Sequence, residues 1–129
     1  AMTTYVILLP GDEDAWAQTP AAEKQQGYAV HEQFANALAA RGHAIVGGAE
    51  LQHSRTARTL RQGVVSDGPY AEVAEQLTGF YLVQSDDLDD LVDCCRILAG
   101  VETTIEIRPT VDHSGTAEST DPSQKGPRA

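Results

Sequence analysis

The sequence predicts an α+β fold, a ferredoxin-like βαββαβ sandwich. Three observations carry the prediction: strand-length apolar runs, two helical stretches with clear start and stop signals, and the order in which they alternate. Tyr5-Val6-Ile7-Leu8-Leu9 and Phe80–Val83 are apolar at every position, as in strands buried on both faces. Two helices cover only one face of such a sheet, so the other face needs a different cover. A second copy of the chain is the simplest one, and a homodimer is expected. Burying that face removes apolar surface worth about 25 cal/mol per Å², enough to outweigh the entropy of pairing.

Along the chain, Pro10-Gly11-Asp12 closes the first strand. Thr19-Pro20 then starts a helix, with Thr as N-cap and Pro at the first helical position, and Gly42 stops it after Arg41. Tyr28, His31, Phe34, Ala35 and Leu38 form its apolar stripe. His43–Val46 reads as a short strand closed by Gly47-Gly48. Thr56–Arg61 reads as the next strand, turned by Gln62-Gly63 into Val64-Val65. The rigid Asp67-Gly68-Pro69-Tyr70 turn leads into Phe80–Val83, with Glu72 and Glu75 assigned to a helical turn between them. Ser85-Asp86-Asp87 opens a second helix whose first-turn acids suit the macrodipole. Its stripe is Leu88, Leu91, Val92, Cys95 and Leu98, and Gly100 ends it. Thr103–Pro109 closes the fold as a strand with Ile105 and Ile107 inward.

Ala1 ahead of Met2 reads as an expression remnant, and the folded domain is assigned to residues 3–111. Residues 112–129 are polar, hold two prolines and lack bulky apolar side chains after Val111, so they read as a flexible tail. A net charge of −10 argues against a nucleic acid or an anionic membrane as partner. Arg55, Arg58 and Arg61 are too few to form a basic footprint, and no apolar run reaches membrane-spanning length. The only two cysteines, Cys94 and Cys95, are adjacent and are expected reduced, which fits a cytoplasmic protein. No His or Cys stands at ligand spacing from them, so no metal is expected. No phosphate-binding loop, dinucleotide fingerprint or nucleophile elbow is present, and no cofactor is assigned.

The ordered motifs resemble the YCII-related proteins, in particular the subgroup named for its Asp-Gly-Pro-Phe motif. The matching segments are Tyr5–Leu9, Gly11–Trp16, His31-Glu32-Gln33-Phe34, Gly47–Gln52, Thr56–Arg61, Asp67–Glu72, Glu75–Leu82 and Ile105–Pro109. Tyr70 stands where the family usually has Phe, and Ala74 where it often has Lys. The resemblance implies a dimeric α/β barrel of two four-stranded sheets, and a His/Asp site in a cleft with no established reaction. It also implies a regulatory link in some genomes, where relatives neighbour alternative sigma factors.

His31 on the sheet-facing stripe and Asp67 on its stiff turn form the candidate catalytic pair. An imidazole titrates near about 6.5, and a carboxylate beside it would fix its tautomer and free the other nitrogen for a substrate proton. The alternative is a buried histidine satisfied by a carbonyl or by Tyr28. Tyr70 and Tyr81 are candidate phenol donors to a small organic ligand, or core rings. Arg58 is a candidate clamp for a substrate carboxylate, and Glu50 a second cleft acid. Trp16 covers an apolar edge or lids the cleft. Two functions fit: a cofactor-free, lyase-like acid/base enzyme, or a non-catalytic metabolite-binding or regulatory dimer.

Overall fold

Along the first strand every second side chain is sealed: Tyr5, Ile7 and Leu9 are buried, while Val6 and Leu8 are half-buried on the opposite face. This period of two decides which residues face the helices and which face away. The computed structural model describes residues 2–114. Its strands are β1 (Thr3–Gly11), β2 (Ala44–Glu50), β3 (Arg58–Arg61), β4 (Val64–Asp67), β5 (Gln76–Ser85) and β6 (Glu106–Pro109). Its helices are α1 (Glu13–Ala17), α2 (Ala21–Ala40) and α3 (Leu88–Cys95), the last continued by a 3₁₀ turn over Arg96–Gly100.

The main sheet is antiparallel with order β2-β5-β1-β6. Its long central strands are thus first and third among the four in chain order, which is the order a ferredoxin-like α+β fold requires. The sheet is open, and the described residues close no barrel. Tyr5 pairs with Val83 and Ile7 with Tyr81, so these four share the helix-covered face. Ile7, Val83, Phe34, Leu38, Leu91 and Leu98 are the fully buried core, together with the thiol of Cys94. Each such aliphatic or aromatic burial contributes about 1.5–3 kcal/mol.

Several local expectations shift. The Gly11–Trp16 segment is no plain loop: Asp12 caps α1, its carboxylate accepting the Ala15 N–H at 3.0 Å. Pro20, not Thr19, is the N-cap residue of α2, because the Thr19 hydroxyl turns back to the Ala15 carbonyl at 2.8 Å. β2 does not stop at Gly47-Gly48; both glycines pair with β5, opposite Leu82 and Tyr81. A Cβ on Gly48 would come within 2.7 Å of the Phe80 carbonyl oxygen, so only glycine lets the two backbones approach this closely there. Gln62 and Gly63 take positive φ values of 50° and 82°, the turn that joins β3 to β4. Within Ser85-Asp86-Asp87 it is Asp87 that caps α3, accepting from the Asp90 N–H at 3.0 Å, while Ser85 ends β5. Glu72 and Glu75 lie in irregular chain, not in a helical turn. Residues 115–129, most of the polar stretch assigned as a tail, lie outside the described residues.

The hairpin β3–β4 pairs only with itself and leaves Leu60, Val64 and Val65 exposed. No helix among the described residues is long and apolar enough to cross a membrane.

Candidate functional site

One end of the sheet gathers the polar residues. β1 ends there, β5 begins there, and the antiparallel pairing of Glu50 with Gly79 brings the end of β2 to the same level. β6 runs against β1 with Glu106 opposite Leu8, so the loop preceding β6 also arrives at this end. That loop is held by the Val101 and Glu102 N–H groups, both donating to the Leu98 carbonyl at 2.9 and 2.7 Å.

Over this end opens a cavity of about 940 Å³. Its lining includes Trp16, Tyr28, His31, Glu50, Tyr81 and Glu102. Tyr28 and His31, three apart on α2, project from the same side of the helix. The alternation of β5 places Tyr81 on the helix-covered face, where its ring lies 5.9 Å from that of His31 and 5.3 Å from Phe34. Trp16 reaches the cavity from α1 and meets Tyr28 edge-to-face at 5.7 Å.

Both ring nitrogens of His31 are engaged. Nδ1 is 2.7 Å from the Tyr81 hydroxyl, and Nε2 is 3.0 Å from Glu102 Oε2. A carboxylate only accepts, so the Nε2 proton is on His31 and is donated to Glu102. Burial, and then the nearby Glu102 charge, push the Tyr81 phenol up, so it keeps its proton near neutrality. In the neutral imidazole Nδ1 is the remaining acceptor, and the Tyr81 hydroxyl donates to it. The result is a directed chain, Tyr81 O–H to His31 to Glu102, with His31 and Glu102 each about one-fifth exposed. On the other wall the Tyr28 hydroxyl sits 3.1 Å from both oxygens of Glu50. Burial first, and Glu50 second, push that phenol up as well.

Of the residues expected at the site, His31, Tyr81 and Glu50 line this cavity together. Asp67 does not meet His31: its side chain is 92% exposed at the end of the hairpin, and among the described residues its ion-pair contact is Arg58 at 3.9 Å. The carboxylate that touches His31 is Glu102. Asp67 instead borders a separate hollow of about 280 Å³ with His53, Ser54 and Glu72. Arg58 is itself 80% exposed. Tyr70 is exposed on the same outlying segment, its carbonyl accepting from Arg61. Arg58 and Asp67 lie on a hairpin that pairs with no strand of the main sheet, Tyr70 follows it, and none of the three lines the cavity. Trp16 forms part of the cavity wall.

Two further constellations resemble chemistry. Buried His43, just before β2, places Nδ1 2.8 Å from Ser85 Oγ and Nε2 2.7 Å from Asp90. This is a Ser-His-Asp array, but Ser85 is 1% exposed and bonds the Asp87 backbone at both N–H and carbonyl, so it serves as a staple between strand and helix. Cys94 joins His43 and Asp90 as a third potential metal donor, with the three donor atoms within 4.8 Å. Sequence spacing hides this grouping because β2 and α3 are far apart in the chain. Here the Arg41 guanidinium contacts Asp90 and Asp93 and supplies the positive charge. Near the cavity mouth, His53 lies 2.6 Å from Asp14, and Ser54 donates through both its N–H and hydroxyl to Glu13.

Glu102 carried no signal in isolation. Pairing the last strand against β1 by its Ile105/Ile107 alternation would have brought the preceding loop to the sheet end that bears Glu50. In comparisons with known proteins, the chain is 40% identical over 68 residues to an uncharacterized protein of Rhizobium meliloti (strain 1021). That match takes in 47% of this chain and 55% of the relative, so it spans about half of the relative's length. The model of the YCII-related domain matches residues 3–112, a span that holds the whole sheet, its helices and the cavity, and the chain belongs to that family.

Proposed function

We propose that the cavity is an acid/base site acting on a small polar organic molecule, with His31 and Tyr81 as the catalytic pair and Glu102 as the positioning carboxylate. The Tyr81–His31–Glu102 hydrogen-bond chain at the cavity wall carries this reading. A substrate proton is taken by the Tyr81 oxygen as the phenolic proton moves to His31 Nδ1, and the resulting imidazolium rests on Glu102. Reversal returns a proton to the product, as a lyase-like elimination requires. The chain supplies every group in this step, and no cofactor enters it. The test is a metabolite screen by thermal shift, followed by turnover assays on the compounds that bind. Loss of turnover in His31→Ala supports the site, and unchanged turnover overturns it.

A second reading is a binding or regulatory module without turnover. It is favoured by the fact that both His31 nitrogens already have partners within the chain. Binding without turnover across the screen selects it.

The working unit in either reading is a homodimer in a reducing, cytoplasmic setting. Val6 pairs with Leu82 and Leu8 with Phe80, so four apolar side chains share the sheet face opposite the helices. A second sheet laid on that face would complete a dimeric barrel. The unbridged, buried Cys94 and Cys95 support the reducing setting.

A further inference from the structure

We infer that the cavity takes a small organic cation, an amine bound in its ammonium form, with Glu50 as the carboxylate that receives it. The inference rests on the reading of this cavity as the ligand site and names the ligand's charge. At about 940 Å³ the space suits a small organic molecule. Its wall carries Asp12, Glu13, Glu50, Glu75 and Glu102 against the cations Lys24 and Arg55. A carboxylate or phosphate ligand entering there meets net repulsion, and an ammonium meets attraction.

The pairing within the wall sharpens this. Among the described residues, neither Glu50 nor Glu102 is bridged to a lysine or arginine: Glu102 takes His31, and Glu50 takes only the neutral Tyr28 hydroxyl. A carboxylate offers about four accepting positions, so one phenol leaves most of the capacity of Glu50 unused. Beside it stand the rings of Trp16 and Tyr28. The Lys24 ammonium already lies 5.5 Å from the Trp16 ring centroid, so this wall holds an amine of the chain's own. A ligand ammonium beside Glu50, on an accepting position that the Tyr28 hydroxyl leaves open, gains one charge-assisted contact with the Tyr28 and Trp16 rings close by.

The experiment compares 2-phenylethylamine with the similarly sized anion 3-phenylpropanoate. Binding to the full chain is followed by titration calorimetry and by NMR shifts of cavity residues. Glu50→Gln removes the charge while keeping an acceptor for Tyr28. Glu23→Gln, on α2 outside the cavity, controls for net charge. The expected result is that the amine binds and perturbs Tyr28 and Trp16, and that Glu50→Gln weakens it roughly tenfold, as for loss of one charged hydrogen bond, while Glu23→Gln does not. Binding of the anion as tightly as the amine overturns the inference and leaves the acid/base reading standing. An amine affinity indifferent to Glu50→Gln, or no amine binding at all, also overturns it. The His31→Ala turnover assay tests the acid/base reading separately.

Discussion

The Tyr81 hydroxyl lies 2.7 Å from His31 Nδ1, joining the central strand β5 to the middle of α2 across the cavity wall. With Glu102 on the opposite nitrogen, the imidazole is held as the Nε2–H tautomer, and a proton arriving at Tyr81 has a defined path inward. Nitrogen-15 NMR is expected to show the neutral form of His31 protonated at Nε2 and unprotonated at Nδ1.

Tyr81→Phe keeps the ring against Phe34 and removes only the hydroxyl. Stability is expected to fall by about 1 kcal/mol, the net worth of one neutral hydrogen bond. Turnover of any substrate found should fall by about 10²-fold or more, the range assigned to a positioned proton-transfer group. Calorimetric melting and steady-state kinetics check the two effects separately. Glu102→Gln should reduce kcat with little change in melting, since the amide oxygen still accepts from Nε2.

Asp90 gives the fold a dependence on acid. Its hydrogen bond to His43, and then its contact with Arg41, hold its carboxyl below the ordinary value of 3.8. A group whose folded pKa is depressed stabilises above its unfolded value and loses that stabilisation as pH falls through the folded value. Asp90→Asn is therefore expected to lower Tm by a few degrees at pH 5 and above. The gap should narrow as pH drops below 3.8, and melting curves of both proteins from pH 2.5 to 6 check it.

The adjacent cysteines are inert in the native state. Burial pushes the Cys95 thiol up to about 12 and raises Cys94 as well, so neither supplies thiolate near neutrality. Native protein at pH 7.5 is expected to resist alkylation by iodoacetamide for hours. The same chain in denaturant should take up two labels, counted by mass spectrometry, matching its two cysteines.

The open sheet face tests the dimer. In the proposed dimer Leu82, paired with Val6 on that face, would become a buried charge against the second sheet if changed to glutamate. Leu82→Glu is expected to shift the protein from dimer to monomer in size-exclusion chromatography with light scattering. Thr110→Glu, on the chain leaving β6, should leave the elution unchanged.

Much of the fold was legible because its signals are local. The unbroken apolar run at Tyr5–Leu9, the Gly42 stop and the Gln62-Gly63 turn each dictate their own conformation. Gly47-Gly48 misled for the same reason: glycine reads as a strand end in one dimension, whereas here it permits the close pass of β2 along Tyr81. The site was half legible. His31 and Tyr81 announce themselves through periodicity, on a helix stripe and in a strand. Glu102 and Tyr28–Glu50 depend on which loops meet at one sheet end, which is a property of register. Asp67 misled because a stiff turn positions a carboxylate without saying toward what, and the hairpin takes it outward.

That hairpin has a consequence for how such a chain can diversify. β3 and β4 bond to each other and to no strand of the main sheet. Lengthening, trimming or resurfacing them leaves the scaffold's own ladder intact, and doubling a surface loop costs only about 0.6 kcal/mol in closure entropy. Residues 58–67 are thus a natural grafting point, where a new recognition element can be installed while the cavity end of the sheet stays as it is.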